Sequence, residues 1–319
     1  MDAAVVHAYG QVPALSEWAE PEPAAGQALI RNLAAAVNPV DLKMAAGSYY
    51  FGAPDPPYVA GAEGVGSVLR SAAFEAGRRV WYERGPLGGA FAELTAVDDA
   101  HLVEIPDGLA DPVAATLGVA GLAAWDALGR RGGLRSGESV LVLGAGGAVG
   151  QFAVQIAKIM GAARVVAATR NPAVMSSAAL AAADQVIRLD SAELATLVSG
   201  LQAGAPRGYD VILDPVWGLA AQAALACAAD GARLVQIGSS GGETLELPAG
   251  LVRRSTASIL GYTIYAIPWP EKRAAYQALA EHVMADRLRV ELETLPLARV
   301  AEAWGRQAAS PGVKLVLEP

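Results

Sequence analysis

A chain of 319 residues has room for about two domains of ordinary size, and its 53% apolar and 18% charged residues, with a mean hydropathy of +0.33, exclude a disordered polymer. With 24 basic against 32 acidic residues, a net charge of -8 and a pI near 5.0, it carries the wrong field for tracking phosphate backbones, so nucleic acid is not an expected partner. One cysteine (Cys227) and three histidines (His7, His101, His282) allow no intrachain disulfide and no cysteine-rich zinc site, and they point to a reducing compartment.

The opening residues carry no basic segment followed by an apolar one, so no secretory leader is read there. Residues 1–115 hold short apolar runs at 3–6, 28–37, 58–69, 79–81 and 90–97, punctuated by Pro and Gly, which predicts a mainly β domain with irregular loops. From about Pro112 the rhythm changes to strand, glycine turn and helix-length segment: strands at 140–143, 165–168, 185–189, 211–213 and 233–237, helices at 149–160, 173–183 and 219–229. That alternation predicts an α/β fold with a doubly wound parallel sheet covered on both faces. From about Ser255 follow a strand at 259–262, helices at 271–285 and 297–307, and a terminal strand at 314–317. The longest uncharged stretch, 139–157, approaches membrane-span length, but Gly144, Gly146, Gly147, Gly150, Gln151 and Gln155 suit a glycine turn better than a lipid-facing helix. The expectation is a cytoplasmic protein with no membrane partner.

Gly144-Ala145-Gly146-Gly147-Ala148-Val149-Gly150 directly follows an apolar strand and opens a helix. Glycines there permit a tight turn and close approach of backbone amides to a pyrophosphate, so Gly144, Gly146, Gly147, Ala148, Val149 and Gly150 are candidate dinucleotide contacts. The regular spacing is Gly144-x-x-Gly147-x-x-Gly150. The next strand ends Thr169-Arg170-Asn171, with no acid to bond the ribose hydroxyls of NADH; Arg170 suits a 2'-phosphate, which predicts NADPH. Asp214 and Gly238-Ser239 lie at the carboxyl ends of later strands, where ligands of such sheets bind.

The stretch 137–150 with Gln155 and Lys158 resembles the signature of the quinone oxidoreductase and zeta-crystallin branch of the medium-chain dehydrogenase/reductases, departing from it at Ala148. Asn38-Pro39-Val40-Asp41-Leu42, Gly47-Ser48-Tyr49, residues 57–66, residues 115–128 and residues 310–317 extend the resemblance over essentially the whole chain. It implies a GroES-like, mainly β catalytic domain made of residues 1–115 and completed by 255–319. A Rossmann NADP-binding domain at 116–254 would be inserted between them, with the active site in the cleft and a homodimer formed through the Rossmann sheet edge. By the same resemblance Asp214, Gly238 and Ser239 edge the ribose and nicotinamide.

Zinc-dependent members of the superfamily carry Cys-His where this chain has Asn38-Pro39, and Gly-His-Glu where it has Gly61-Ala62-Glu63. Both ligands are replaced, so no functional metal is expected, and Glu63 reads as a hydrogen-bonding residue. Without a Lewis acid, alcohol oxidation is disfavoured. Quinones and α,β-unsaturated carbonyls accept hydride without a metal, leaving an anion that solvent or a phenol protonates. Tyr49 lies where related enoyl reductases have a catalytic tyrosine, and it is the candidate proton donor or pocket wall. Asn38 is a candidate anchor for the acceptor oxygen or the nicotinamide ribose, or a turn residue before Pro39. Lys43 falls where some quinone oxidoreductases have another tyrosine. Two further readings stand beside this one: an enoyl-thioester reductase, and an NADPH-binding protein with a structural or sensory task.

Overall fold

The computed structural model describes all residues, Met1–Pro319. The chain divides into two units, one of Met1–Val119, Trp269–Met284 and Glu291–Pro319, the other of Ala120–Pro268 and Ala285–Val290.

In the first unit a seven-stranded sheet runs in the order Leu292–Pro296, Lys314–Glu318, Gln27–Ala36, Glu63–Arg70, Arg79–Glu83 and Leu102–Glu104, with Leu94–Asp98 also paired to Gln27–Ala36. A three-stranded sheet holds Ala14–Glu17, Asp2–Val6 and Tyr58–Val59. The 27–36 strand keeps one face nearly continuously buried, and Ile30, Val68, Val80, Phe91, Leu315 and Leu317 share its core. Both ends of the chain therefore build this unit, because Val316 and Leu317 pair antiparallel with Ala36 and Ala35.

The second unit is a six-stranded sheet in the order Gln185–Arg188, Arg164–Thr169, Ser139–Leu143, Tyr209–Asp214, Ala228–Gln236 and Ser258–Gly261, every pair parallel. Counted within the unit this is the 3-2-1-4-5-6 order of the dinucleotide fold, whose order reverses between the Ser139–Leu143 and Tyr209–Asp214 strands. Residues 140–143 are fully buried, as a strand covered on both faces requires.

The expected return to the first domain near residue 255 shifts to Trp269, because Ser258–Gly261 registers with Arg233–Gln236 and extends the parallel sheet. The other expected boundary, at 115, lies close to Val119. The expected helix at 173–183 is two short 3-10 turns, Pro172–Val174 and Ala178–Leu180, separated at Ser176-Ser177. Apolar helices at Asp111–Thr116 and Leu194–Gly204 lack a polar stripe sharp enough to announce them. One helical stretch, Asp111–Arg131, is long and apolar enough to cross a membrane by length and composition; 72% of its apolar window is buried inside the protein.

Gly61 fixes the entry to the Glu63–Arg70 strand. Its φ of +101° and the Phe91 ring, 2.5 Å from where a Cβ would stand, leave no space for a side chain. Gly61→Ala should lower unfolding stability by about 2–4 kcal/mol through strain and overpacking, read as a fall in the urea midpoint; an unchanged midpoint would show that the loop relaxes freely.

Candidate functional site

The nucleotide turn is built as the motif demands. Gly144 has a φ of +59°, and a Cβ on Gly150 would lie 2.5 Å from the Cα of Ala145, so the turn closes only with glycine at these places. Gly146 is equally confined, with Val174 Cγ2 2.5 Å and Thr169 Oγ1 2.9 Å from its Cβ position. The helix Ala148–Ile159 then starts at Gly147 with no side-chain cap, which leaves its first amides and its positive dipole end for an anion. These residues fit a pyrophosphate. Thr169 is buried and its hydroxyl accepts from the Asn171 amide, while Arg170 is exposed.

Across the order reversal, Asp214 is fully buried. Its Oδ1 accepts the amides of Val216 and Trp217 at 2.9 and 2.8 Å, and Oδ2 has no partner. Burial pushes this carboxyl up to about 6, against the pull of those two amides. One oxygen of the side chain thus caps its own turn, where Trp217 has a φ of 63°. Pro215 and Val216 of that turn stand 3.1 and 2.9 Å from the Cβ position of Gly144. Gly238 packs against Pro215 O, 2.9 Å from its own Cβ position, and Ser239 Oγ donates to Glu243 Oε1 at 2.9 Å.

The first unit holds a buried polar cluster that sequence reasoning glimpsed only in part. Asn38, at 2% exposed, donates Nδ2 to Glu63 Oε1 at 2.8 Å and to Ala36 O at 2.9 Å, and its Oδ1 accepts Lys314 Nζ at 2.5 Å. Lys314 also donates to Val37 O at 2.8 Å. Glu63 Oε2 accepts Trp81 Nε1 at 3.0 Å and the Val119 amide at 2.7 Å. Asp41 Oδ2 accepts the Asn38 amide at 2.7 Å and Oδ1 the Ala62 amide at 2.9 Å.

The Val119 amide reaches Glu63 because the helical stretch breaks at Gly118, whose ψ is -106°. A Cβ there would lie 1.9 Å from Glu63 Oε2. Burial pushes the Glu63 carboxyl up and the Lys314 ammonium down, yet three N–H donors on the one and two oxygen acceptors on the other form the pattern of a charged pair bridged by the Asn38 amide.

Both amide hydrogens of Asn38 and one lone pair of its oxygen are engaged inside the protein, which makes it a member of the cluster and the turn residue before Pro39 that was among its expected roles. Glu63 is the hydrogen-bonding residue the sequence suggested. Lys314, Asp41, Trp81 and Gly118 were missed. The available signal was a lysine inside the apolar run 313–317 of a chain in which only four of the 24 basic residues are lysine. The group does not fit a metal ion: no three His, Cys, Asp or Glu side chains converge, each carboxylate oxygen already accepts an N–H, and an ammonium sits among them.

Tyr49 follows the helix Pro39–Ala45 and is 8% exposed, while its neighbours Tyr50 and Phe51 are 69% and 52% exposed. The Tyr49 ring lies 4.6 Å from that of Tyr50 and 5.8 Å from that of Phe51. The Tyr9 hydroxyl donates to Pro54 O at 3.0 Å and straps the far side of this aromatic loop.

Burial pushes Asp41 up to about 7, opposed by the Asn38 amide and Lys314 and aided by Glu63. The folded protein keeps this proton where the unfolded chain has released it, so the stability it contributes is full below pH about 4 and lost by about 7. Asp41→Asn removes the titration. The stability difference between the parent and D41N, from urea midpoints, should shrink by about 2–3 kcal/mol between pH 5 and pH 8; a constant difference would assign the proton elsewhere.

Two family models match the chain: an alcohol dehydrogenase GroES-like domain over residues 24–107 and a zinc-binding dehydrogenase domain over 148–282. Prostaglandin reductase-3 of Bos taurus is 33% identical over 293 residues, covering 86% of this chain and 74% of that protein. A quinone oxidoreductase of Pseudomonas aeruginosa is 31% identical over 320 residues, covering 95% and 94%. Among solved structures, the quinone oxidoreductase of Thermus thermophilus, determined alone and in complex with NADPH, is 30% identical, covers 100% of both chains and superposes with a TM-score of 0.83. NADPH binding is a property of this family. The chain belongs to the medium-chain dehydrogenase/reductase superfamily of oxidoreductases, in its quinone oxidoreductase branch.

Proposed function

We propose that this chain is an NADPH-dependent reductase that passes hydride to a quinone or an α,β-unsaturated carbonyl without a metal ion. The observation that carries the reading is the commitment of Asn38, Asp41 and Glu63 to N–H donors and an internal ammonium, in a chain that also builds an uncapped glycine turn for a dinucleotide. The related proteins named for quinone and prostaglandin reduction support it.

The turn at Gly144–Gly150 holds the pyrophosphate against the first amides of its helix, with Gly238 and Ser239 just past the end of the Ala228–Gln236 strand, and Arg170 takes the 2'-phosphate. Bound there, the nicotinamide supplies hydride. Acceptors with an electron-poor carbon need no Lewis acid, and the anion they become is met by the Tyr49 hydroxyl or by solvent. The loop at 49–51 offers rings to a planar acceptor. As the second part of the proposal, two copies join through the bare edge of the Ser258–Gly261 strand, where Ile259 is exposed; light scattering at twice the chain mass supports it and a monomer mass refutes it.

The decisive assay is NADPH oxidation by chelator-treated protein against an ortho-quinone, a para-quinone, a simple enone and an enoyl thioester. Turnover on quinone or enone, undiminished by chelator, is expected; NADPH binding with no turnover on any acceptor would sink the reading. Tyr49→Phe should lower kcat on enones by about 10²-fold, and Arg170→Ala should reduce the NADPH-to-NADH ratio of kcat/KM by roughly tenfold or more. Full activity of the first variant would remove the phenol as donor, and an unchanged ratio in the second would remove Arg170 from phosphate recognition.

A further inference from the structure

Two of the chain's four lysines are among its most buried residues: Lys272 is 2% and Lys314 3% exposed. Lysine is ordinarily the most exposed of side chains, so each burial needs a reason. Lys272 pairs with Glu83 and lies 4.5 Å over the Trp269 ring, which docks the Trp269–Met284 helix. Lys314 makes no direct carboxylate contact. Its ammonium is spent on Val37 O and on the Asn38 side chain, the two residues where the Gln27–Ala36 strand gives way to the Pro39–Ala45 helix.

We propose that Lys314 is a positioning residue for the Tyr49 loop: by fixing the orientation of the Asn38 amide it locks the start of the 39–45 helix, and through that helix the placement of Tyr49. The inference rests on the proposed reading of Tyr49 in acceptor reduction. The amide has two orientations, and only one puts its oxygen on the ammonium and its hydrogens on Glu63 Oε1 and Ala36 O. Asn38 is also the N-cap of the helix, joined reciprocally to Asp41. Seven residues on, the Ala45 carbonyl accepts the Gly10 amide at 2.7 Å, the Gly47 amide returns to Met44 O at 2.9 Å, and the Ser48 amide returns to Lys43 O at 3.0 Å. The Gly52 amide then closes on Tyr49 O at 2.8 Å. Every step from Lys314 to Tyr49 is a hydrogen bond or a turn of helix, so loosening its first member loosens the last. Arginine, which outnumbers lysine in this chain, presents a planar fork less suited to an enclosed pocket with two acceptors.

The test uses Lys314→Met combined with Glu63→Gln, which removes the cation without leaving its partner charge buried, and Lys314→Arg, which keeps the charge. Hydrogen exchange by mass spectrometry should show residues 39–52 opening about tenfold faster in both variants, with peptides of the 139–159 nucleotide turn unchanged. With quinone or enone as acceptor, kcat should fall about 10- to 100-fold, as for a misplaced reacting group, while the Kd for NADPH holds. Parent-like protection of 39–52 in either folded variant would overturn the proposal and leave Lys314 as a filler of charge. A parent enzyme that turns over no acceptor would instead defeat the proposed function, and the exchange measurement would still decide the role of Lys314.

Discussion

The constraint on which the first unit depends is the burial of the Glu63 carboxylate. A charge removed from water is costly unless hydrogen bonds and a counter-charge replace its hydration. The chain gathers those replacements from far apart in sequence: the Asn38 amide, the Trp81 indole, the Val119 backbone and, through Asn38, the ammonium of Lys314. Each donor fixes the element that carries it. Trp81 sits on the neighbouring strand, Val119 follows a helix broken at Gly118 for this contact, and Lys314 belongs to a strand near the carboxyl end. Removing a single donor or the ammonium leaves a buried charge under-satisfied, which costs several kcal/mol, more than the loss of one ordinary surface contact.

A second buried acid makes the arrangement clearer. Glu83 stands opposite Glu63 in the register of paired strands, on the same face, where two carboxylates repel. Each is answered by a lysine from the last fifty residues, Lys272 for Glu83 and Lys314 for Glu63. The return of the chain to its first unit is thus electrostatic as well as apolar: Leu315 and Leu317 join the core while the two ammonium groups neutralise the sheet's buried acids.

The doubly wound sheet was legible in the sequence because a buried parallel strand is a short apolar run, and a dinucleotide turn is a run of glycines at fixed spacing. Residues 140–150 announce both. The missing acid after Ala168 was equally readable. What escaped was contact between distant residues: nothing in the local pattern of 313–317 says that Lys314 reaches Asn38, and nothing around Leu117-Gly118-Val119 says that a helix breaks to serve Glu63. Asp214 and Asn38 were correctly singled out as unusual polar residues. Sequence could not tell whether such a group faces a ligand or its own backbone, because that depends on which amides the fold brings within 3 Å. The strand at 258–261 was placed in the wrong unit for a similar reason, since membership of a sheet is a property of register and not of composition.

These inward-turned polar groups shape the chemistry left to the surface. Asn38, Asp41 and Glu63 are engaged with N–H donors and acceptors inside the protein, and the loop that follows the same helix exposes Tyr50 and Phe51 around the buried Tyr49. On the proposed reading, such a surface binds a flat, electron-poor acceptor by its area, acceptor and cofactor supply the reactivity, and the protein supplies placement. Placement in turn is set at the buried end of the helix. There a neutral amide, Asn38, stands between a buried carboxylate and a buried ammonium, so the charge of this region lies in the scaffold that carries the loop.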